Sequence, residues 1–263
     1  MSDVADWWQT AIIDMEPGRI SIRGHEIQTL IGRLSFPQMI WLMLRGEIPT
    51  AGQARLLEAA LVAAVDHGPQ APSIAAARMA VTCGLPLNGA MASAVNMLDD
   101  VHGGAGEQAV ELYTAIDAAG GPGAAGAEID RWQAERGRFV PGFGHRFHKP
   151  ADPRAPRLLG LVDDATADGV CAGRFAAIGR AVEAELAARK GKPVPMNIDG
   201  ATAVIFAELG FAAPLARGIF CLSRSVGILA HAWEQQGEGG RNKGPTPPRY
   251  RWTYTGPAAE DQG

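Results

Sequence analysis

A chain of 263 residues, 47% of them hydrophobic, is long enough to bury a substantial core as one large domain or two small ones. Its formal net charge of -4 and pI of about 5.9, without any run of lysines or arginines, argue against a nucleic-acid binder. The three cysteines, Cys83, Cys171 and Cys221, lie far apart in apolar company without C-x-x-C spacing and are expected to be buried free thiols in a reducing compartment. Acidic residues stand at the N-terminus where a signal peptide has basic ones, and no uninterrupted apolar run approaches the ~20 residues of a membrane span. The expectation is a cytoplasmic chain that engages neither membrane nor nucleic acid.

Residues 12–34 mix β-branched and turn residues. Ile12, Ile13, Pro17-Gly18, Ile20, Ile22 and Gly24 predict two very short strands around the Pro-Gly turn. Ser35 before Phe36-Pro37 is an N-cap with proline in the first helical turn; Ile40, Trp41 and Leu44 supply the apolar face, and Gly46 ends the helix. Pro49 and Thr50 open another helix with the stripe Leu57, Leu61, Ala64 and Val65. It runs into Asp66-His67-Gly68-Pro69, which puts His67 at a helix end, where the dipole favours a charged imidazole. From Ser73 to Tyr113, alanine, methionine and closely spaced small residues (Gly84, Gly89, Ala90, Ala94) predict helices packed backbone to backbone, and Arg78, Asn88, Asn96 and Asp99-Asp100 speak against a membrane hairpin. That run ends in Val101-His102-Gly103-Gly104-Ala105, where the glycines open a helix whose exposed amides suit a developing negative charge.

Residues 119–126 form the most flexible-looking segment, a surface loop or a hinge side. The stretch from Arg138 to Arg154 then concentrates the chemistry of the chain. Gly142 and Gly144 let the backbone approach a ligand or take positive φ, so bare N–H groups can face an anion or a carbonyl oxygen. His145 adds an imidazole that titrates near neutral pH. Arg154, held by Asp152-Pro153, can bind a carboxylate through two parallel hydrogen bonds. A Gly-X-Gly turn alone is a weak signal, and a polar loop with a structural histidine is the competing interpretation. Further on, Phe175, Ile178, Val182 and Leu186 mark an amphipathic helix. The proline-rich stretch Lys192 to Gly200 precedes a new apolar pattern at Ala203, Val204, Phe206 and Leu209, and Asp199 is either its N-cap or a placed base, with local sequence favouring the cap. Residues 215–233 are the cleanest helix: Leu215, Ile219, Leu222, Val226, Leu229 and Trp233 step by four and three, opposite Arg217, Arg224 and His231. Such a charged stripe is usually solvated, although Phe220 and Gly227 beside Arg224 point to a covered face. The tail from Pro245 to Pro257, with four prolines, Arg249 and Arg251, is expected to be extended.

Taken together, these motifs resemble the citrate synthase superfamily over nearly the whole chain. Pro141-Gly142-Phe143-Gly144-His145-Arg146 with Asp152-Pro153-Arg154-Ala155 is similar to the most specific segment of that family, and His102-Gly103-Gly104-Ala105 to its first catalytic histidine motif. Gly18-Arg19-Ile20 with Arg23-Gly24, Leu44 to Pro49, Asn197-Ile198-Asp199-Gly200, Arg224-Ser225-Val226-Gly227 and Tyr254-Thr255-Gly256-Pro257 follow in the family order. Only one helix fits between Pro49 and Asp66, where full-length synthases place several. That shortening, with the wording of Asp66-His67-Gly68-Pro69 and Ile198-Asp199-Gly200, resembles the citryl-CoA lyase module of ATP-citrate lyase and free-standing citryl-CoA lyases; His102 is retained as in the synthases.

The resemblance implies an all-α, citrate synthase-like fold, with a large helical domain of residues 1–102 plus 206–263 and a small helical domain of 103–205. It implies a lyase that cleaves a 3-hydroxyacyl-CoA, citryl-CoA or a homologue such as citramalyl-CoA, to acetyl-CoA and a 2-oxo acid; oxaloacetate, pyruvate and glyoxylate are all open. A shortened synthase that hydrolyses its thioester and a non-catalytic coenzyme A-binding protein are the alternatives. By resemblance His145 handles the hydroxyl, His102 donates to the thioester enolate and Asp199 exchanges the methyl proton. His67, Arg154 and Arg224 would hold carboxylates, with Arg249, or Arg251, reaching in from the partner of a homodimer. Phe139, Val140, Gly142 and Gly144 would offer backbone to coenzyme A, which enters as part of the substrate; no tightly bound cofactor and no metal is implied. His25, His148 and His231 match none of these motifs and are expected to be structural.

Overall fold

The computed structural model describes Val4, residues 7–145 and residues 151–257; Arg146 and His148 lie outside these residues. The described residues form eleven α-helices and one three-stranded sheet. β1 (Ile13–Glu16) and β2 (Arg19–Ile22) pair antiparallel across Pro17-Gly18, as their sequence predicts. A third strand, β3 (His25–Glu26), was not anticipated. It returns through Arg23-Gly24, both at positive φ, a two-residue hairpin turn that suits the strand twist. Arg23 adopts this unusual backbone while its guanidinium donates to Met43 O at 2.9 Å and Ala11 O at 3.2 Å.

After the single turn α1 (Ile27–Leu30), α2 (Phe36–Arg45) starts at a capping box of Ser35 with Gln38 and stops at left-handed Gly46. The same device, Thr50 with Gln53, starts α3 (Ala51–Ala63). α3 ends at Ala63, so His67 lies in a turn four residues beyond it and not at a helix end. α4 (Pro72–Thr82) and α5 (Leu87–Val95) pack closely, with Ala77, Ala90 and Ala94 inaccessible between them. Gly104 caps α6 (Ala105–Ala118) as predicted. Within the glycine-rich residues 119–126, Pro122–Ala124 make a 3-10 turn, packed on α6, that leads into α7 (Ala125–Arg136).

α8 (Arg154–Ala167), α9 (Arg174–Lys190) and α10 (Ile198–Glu208) complete the main core. α10 is apolar almost all round and packs on α3, α6, α8 and α9, the expected place for such a helix. Its last residue, Glu208, accepts the N–H groups of Gly173, Phe175 and Ala176 and so caps α9 from outside. Contacts group Met1–Ala64 with Gly103–Leu222 in one unit and Val65–His102 with Ser223–Gly263 in another. These lines differ from a division at 103 and 205, because α3, near the start of the chain, packs on α8 and α10.

Two further expectations need correction. None of the cysteines is fully buried: Cys83 is exposed at the C-cap of α4, and Cys171 and Cys221 are partly covered. α11 (Ala213–Glu238) covers the Arg224 face to which Phe220 and Gly227 point, yet leaves its apolar stripe open beyond Ile219. Arg224 is 5% exposed, and Ser223, Ile228, Ala232 and Gln235 are buried, whereas Leu222, Val226, Leu229 and Trp233 are 40–64% exposed. By length and composition, α11 is the one helix among the described residues able to cross a membrane. The buried polar residues along it are those of a helix packed on protein.

Candidate active site

In the first unit the glycine-histidine segment is fastened to the start of α10. Phe143 bridges to Met196; Gly144 N–H donates to Pro195 O at 2.8 Å, and Asn197 N–H donates to Gly142 O at 2.9 Å. The Asn197 side chain adds a bond from Nδ2 to Gly144 O at 2.8 Å. The N–H of Gly144 is thus engaged within the chain and not bare, contrary to expectation. What the glycines provide is close approach. Gly142 sits at φ +85°, a Cβ on it would lie 2.6 Å from Gly200 Cα, and one on Gly200 would lie 2.4 Å from Gly142 O. His145 follows directly.

Asn197, not Asp199, caps α10. Its Oδ1 accepts the N–H groups of Asp199 at 2.9 Å and Gly200 at 3.2 Å, which leaves the Asp199 carboxylate in the first turn without a capping duty. Upstream, Asp152 joins two parts of the same cluster. One oxygen accepts Arg154 N–H and Nε, both at 3.0 Å; the other accepts Arg154 Nη2 at 2.8 Å and Ile198 N–H at 3.2 Å. The side-on fork of Arg154 is therefore taken by Asp152, while its Nη1 donates to Ala63 O at 3.4 Å. Burial works against ionisation of Asp152, but the hydrogen bonds and charge of Arg154 and the Ile198 N–H outweigh it and hold the carboxyl below its ordinary range.

In the second unit, His102 rests on Ser73. The Ser73 N–H donates to His102 Nε2 at 3.2 Å, with Ser73 Oγ at 3.0 Å from the same nitrogen. A backbone N–H can only donate, so Nε2 accepts and the ring proton sits on Nδ1. Burial, then the positive charge of Arg224, pushes the His102 pKa down, so the ring is a neutral Nδ1–H donor near pH 7. Arg224 is buried on α11, and His67 occupies the turn after Asp66.

Other expected site residues are more open. Phe139 is exposed beneath the Arg138 guanidinium, Val140 is buried, and Arg249 lies exposed over the Tyr250 ring. Sequence reasoning did not find Ser73 or the hub role of Asp152, whose partners are remote or non-periodic. Asn197 was findable, since it stands two positions before Asp199 at the break between prolines and an apolar run.

Residues 51–246 match the family described as "Citrate synthase, C-terminal domain", and the chain belongs to the citrate synthase family, in the superfamily shared by citrate synthases and citryl-CoA lyases. It is similar to citryl-CoA lyase from Hydrogenobacter thermophilus, with a TM-score of 0.86 and 32% identity over 98% of each chain. It is 30% identical to citrate synthase of Acidithiobacillus ferridurans over 74% of this chain and 50% of that protein. The chain thus spans about half the length of the curated relatives it matches. ATP citrate lyase from Methanothrix soehngenii, solved with citrate and coenzyme A, shares the fold over 98% of this chain and 43% of its own, with a TM-score of 0.81 and 21% identity.

Proposed function

We propose that the protein is an acyl-CoA lyase that cleaves citryl-CoA, or a shorter homologue such as citramalyl-CoA, to acetyl-CoA and a 2-oxo acid. The observation that carries this is end-to-end similarity to a citryl-CoA lyase, 98% of both chains, against half-length similarity to the citrate synthases. His145 takes the proton of the 3-hydroxyl as that carbon becomes the oxo group. The electrons of the broken carbon–carbon bond pass to the thioester enolate, whose oxygen receives a hydrogen bond from the Nδ1–H of His102. Asp199, entering protonated, delivers a proton to the enolate carbon and completes the acetyl methyl group. His67, Arg154 and Arg224 hold the carboxylates, and the segment from Phe139 to Gly144 faces coenzyme A.

The synthase alternative needs one step more, attack of water on the thioester, which calls for closure around a positioned water. Given citryl-CoA, the protein should therefore release acetyl-CoA and oxaloacetate with little free coenzyme A, read by mass spectrometry of the products from one thioester pool. Free coenzyme A and free citrate as the main products would make it a shortened synthase.

The protein is further proposed to act as a homodimer with Arg249 serving the partner's site. The exposed stripe Leu222, Val226, Leu229 and Trp233 on α11 supports a covered face, since apolar residues in a contiguous row mark interaction surfaces. Mixing inactive Arg249→Ala and inactive His145→Ala chains should restore part of the activity, because a mixed dimer has one intact site. No recovery from demonstrated mixed dimers would leave Arg249 without that role.

A further inference from the structure

One face of α11 is fastened to the turn that carries His67. Arg224, Gly227 and His231 are spaced by three and four residues and share that face. At Gly227 the helix comes so near that a Cβ would lie 2.2 Å from Val65 O and 3.1 Å from Asp66 Oδ1. One turn further, His231 Nε2 lies 3.2 Å from Asp66 Oδ1. Behind the imidazole, Arg78 Nη1 lies 3.3 Å from His231 Nδ1, and Arg78 is itself paired with Glu234 and Glu238 of α11. Glu234 also stands 3.8 Å from Nδ1.

The direction of these bonds follows from donor chemistry. A guanidinium has no acceptor, so Nδ1 accepts from Arg78 and Nε2 carries the proton aimed at Asp66. Asp66 meanwhile accepts the N–H of Gly68 at 3.2 Å and so closes the turn around His67. Burial opposes ionisation of Asp66, but the bonds from His231 and from the backbone of His67 and Gly68 outweigh it and hold its carboxyl below the ordinary range.

We infer that His231, oriented by Arg78, is a positioning residue for His67: it anchors Asp66 on α11 and thereby sets how the His67 imidazole is presented to the oxo acid. This rests on the proposal that His67 holds an oxo-acid carboxylate. In the condensation direction, with acetyl-CoA and oxaloacetate as probes, His231→Ala should raise the KM for oxaloacetate about tenfold and leave that for acetyl-CoA within about twofold. His231→Gln, whose amide can still donate to Asp66, should recover most of the loss. An equal rise in both KM values, or a loss in His231→Gln as large as in His231→Ala, would overturn the inference. A second readout needs no turnover: in protein with 15N-labelled histidine, the His67 ring signals should move in His231→Ala and stay in His231→Gln. Unmoved signals in His231→Ala would also overturn it. If the wild type makes no product from acetyl-CoA with oxaloacetate, pyruvate or glyoxylate, the lyase proposal fails while the nitrogen spectrum still decides the role of His231.

Discussion

Asp199→Asn should fold, bind coenzyme A and lose about 10²- to 10⁴-fold in turnover, the usual contribution of a placed acid or base. An amide of the same shape can neither accept nor return the methyl proton. Folding should survive because the structure gives the capping of α10 to Asn197, so the Asp199 side chain is not what satisfies the exposed N–H groups of that helix. The measurement is exchange of the acetyl-CoA methyl protons into deuterated water, with coenzyme A binding as the control. Exchange at the wild-type rate would remove Asp199 from proton transfer. A variant that unfolds would instead show that the carboxylate carries a structural load.

The second large effect is expected at Asp152, and here stability moves as well as activity. Its side chain is inaccessible, and every group it touches is a donor: three N–H groups of Arg154 and that of Ile198. In Asp152→Asn the new NH₂ must point at one of these donors, so a donor faces a donor and the Arg154 charge loses its partner. Breaking such a buried pair costs about 3 kcal/mol or more. The sign of the pH effect follows from the depressed carboxyl. Its contribution is complete above the unfolded value of about 4 and is lost as pH falls through the lower folded value. Urea unfolding of wild type and variant should differ by a constant amount from pH 7 to about 5, and the gap should narrow on further acidification. A gap that holds its size down to pH 3 would mean that the charge of Asp152 is not its source. The KM for the oxo acid should rise too, since Arg154 is no longer aimed.

Local signals in the chain were sufficient for much of the framework. The capping boxes at Ser35 and Thr50, the stop at Gly46, the first hairpin, the helix opened by Gly103-Gly104 and the buried stripe of α9 all appear where side-chain chemistry within a few residues dictates them. The family was legible as well, because its motifs are short and ordered along the chain. Local rules erred at Asp199, read more readily as a cap than as a placed base, because they did not weigh the better-placed Asn197.

Tertiary structure alone decided the rest. The periodicity of residues 215–233 defined two faces of one helix, and Phe220 and Gly227 pointed to cover over Arg224, yet neither said that the apolar stripe beyond Ile219 would lie open. Burial of Arg224 and exposure of Val226 and Trp233 depend on what packs against α11, and that information lies in distant residues. The same holds for Asp152 with Ile198, 46 residues apart, for Ser73 with His102, 29 apart, and for Arg78 with His231, 153 apart. A sequence states its periodicities and its caps because these arise from neighbours along the chain. Hydrogen bonds between remote polar groups leave no such pattern, since their geometry exists only once the apolar core has brought the helices together.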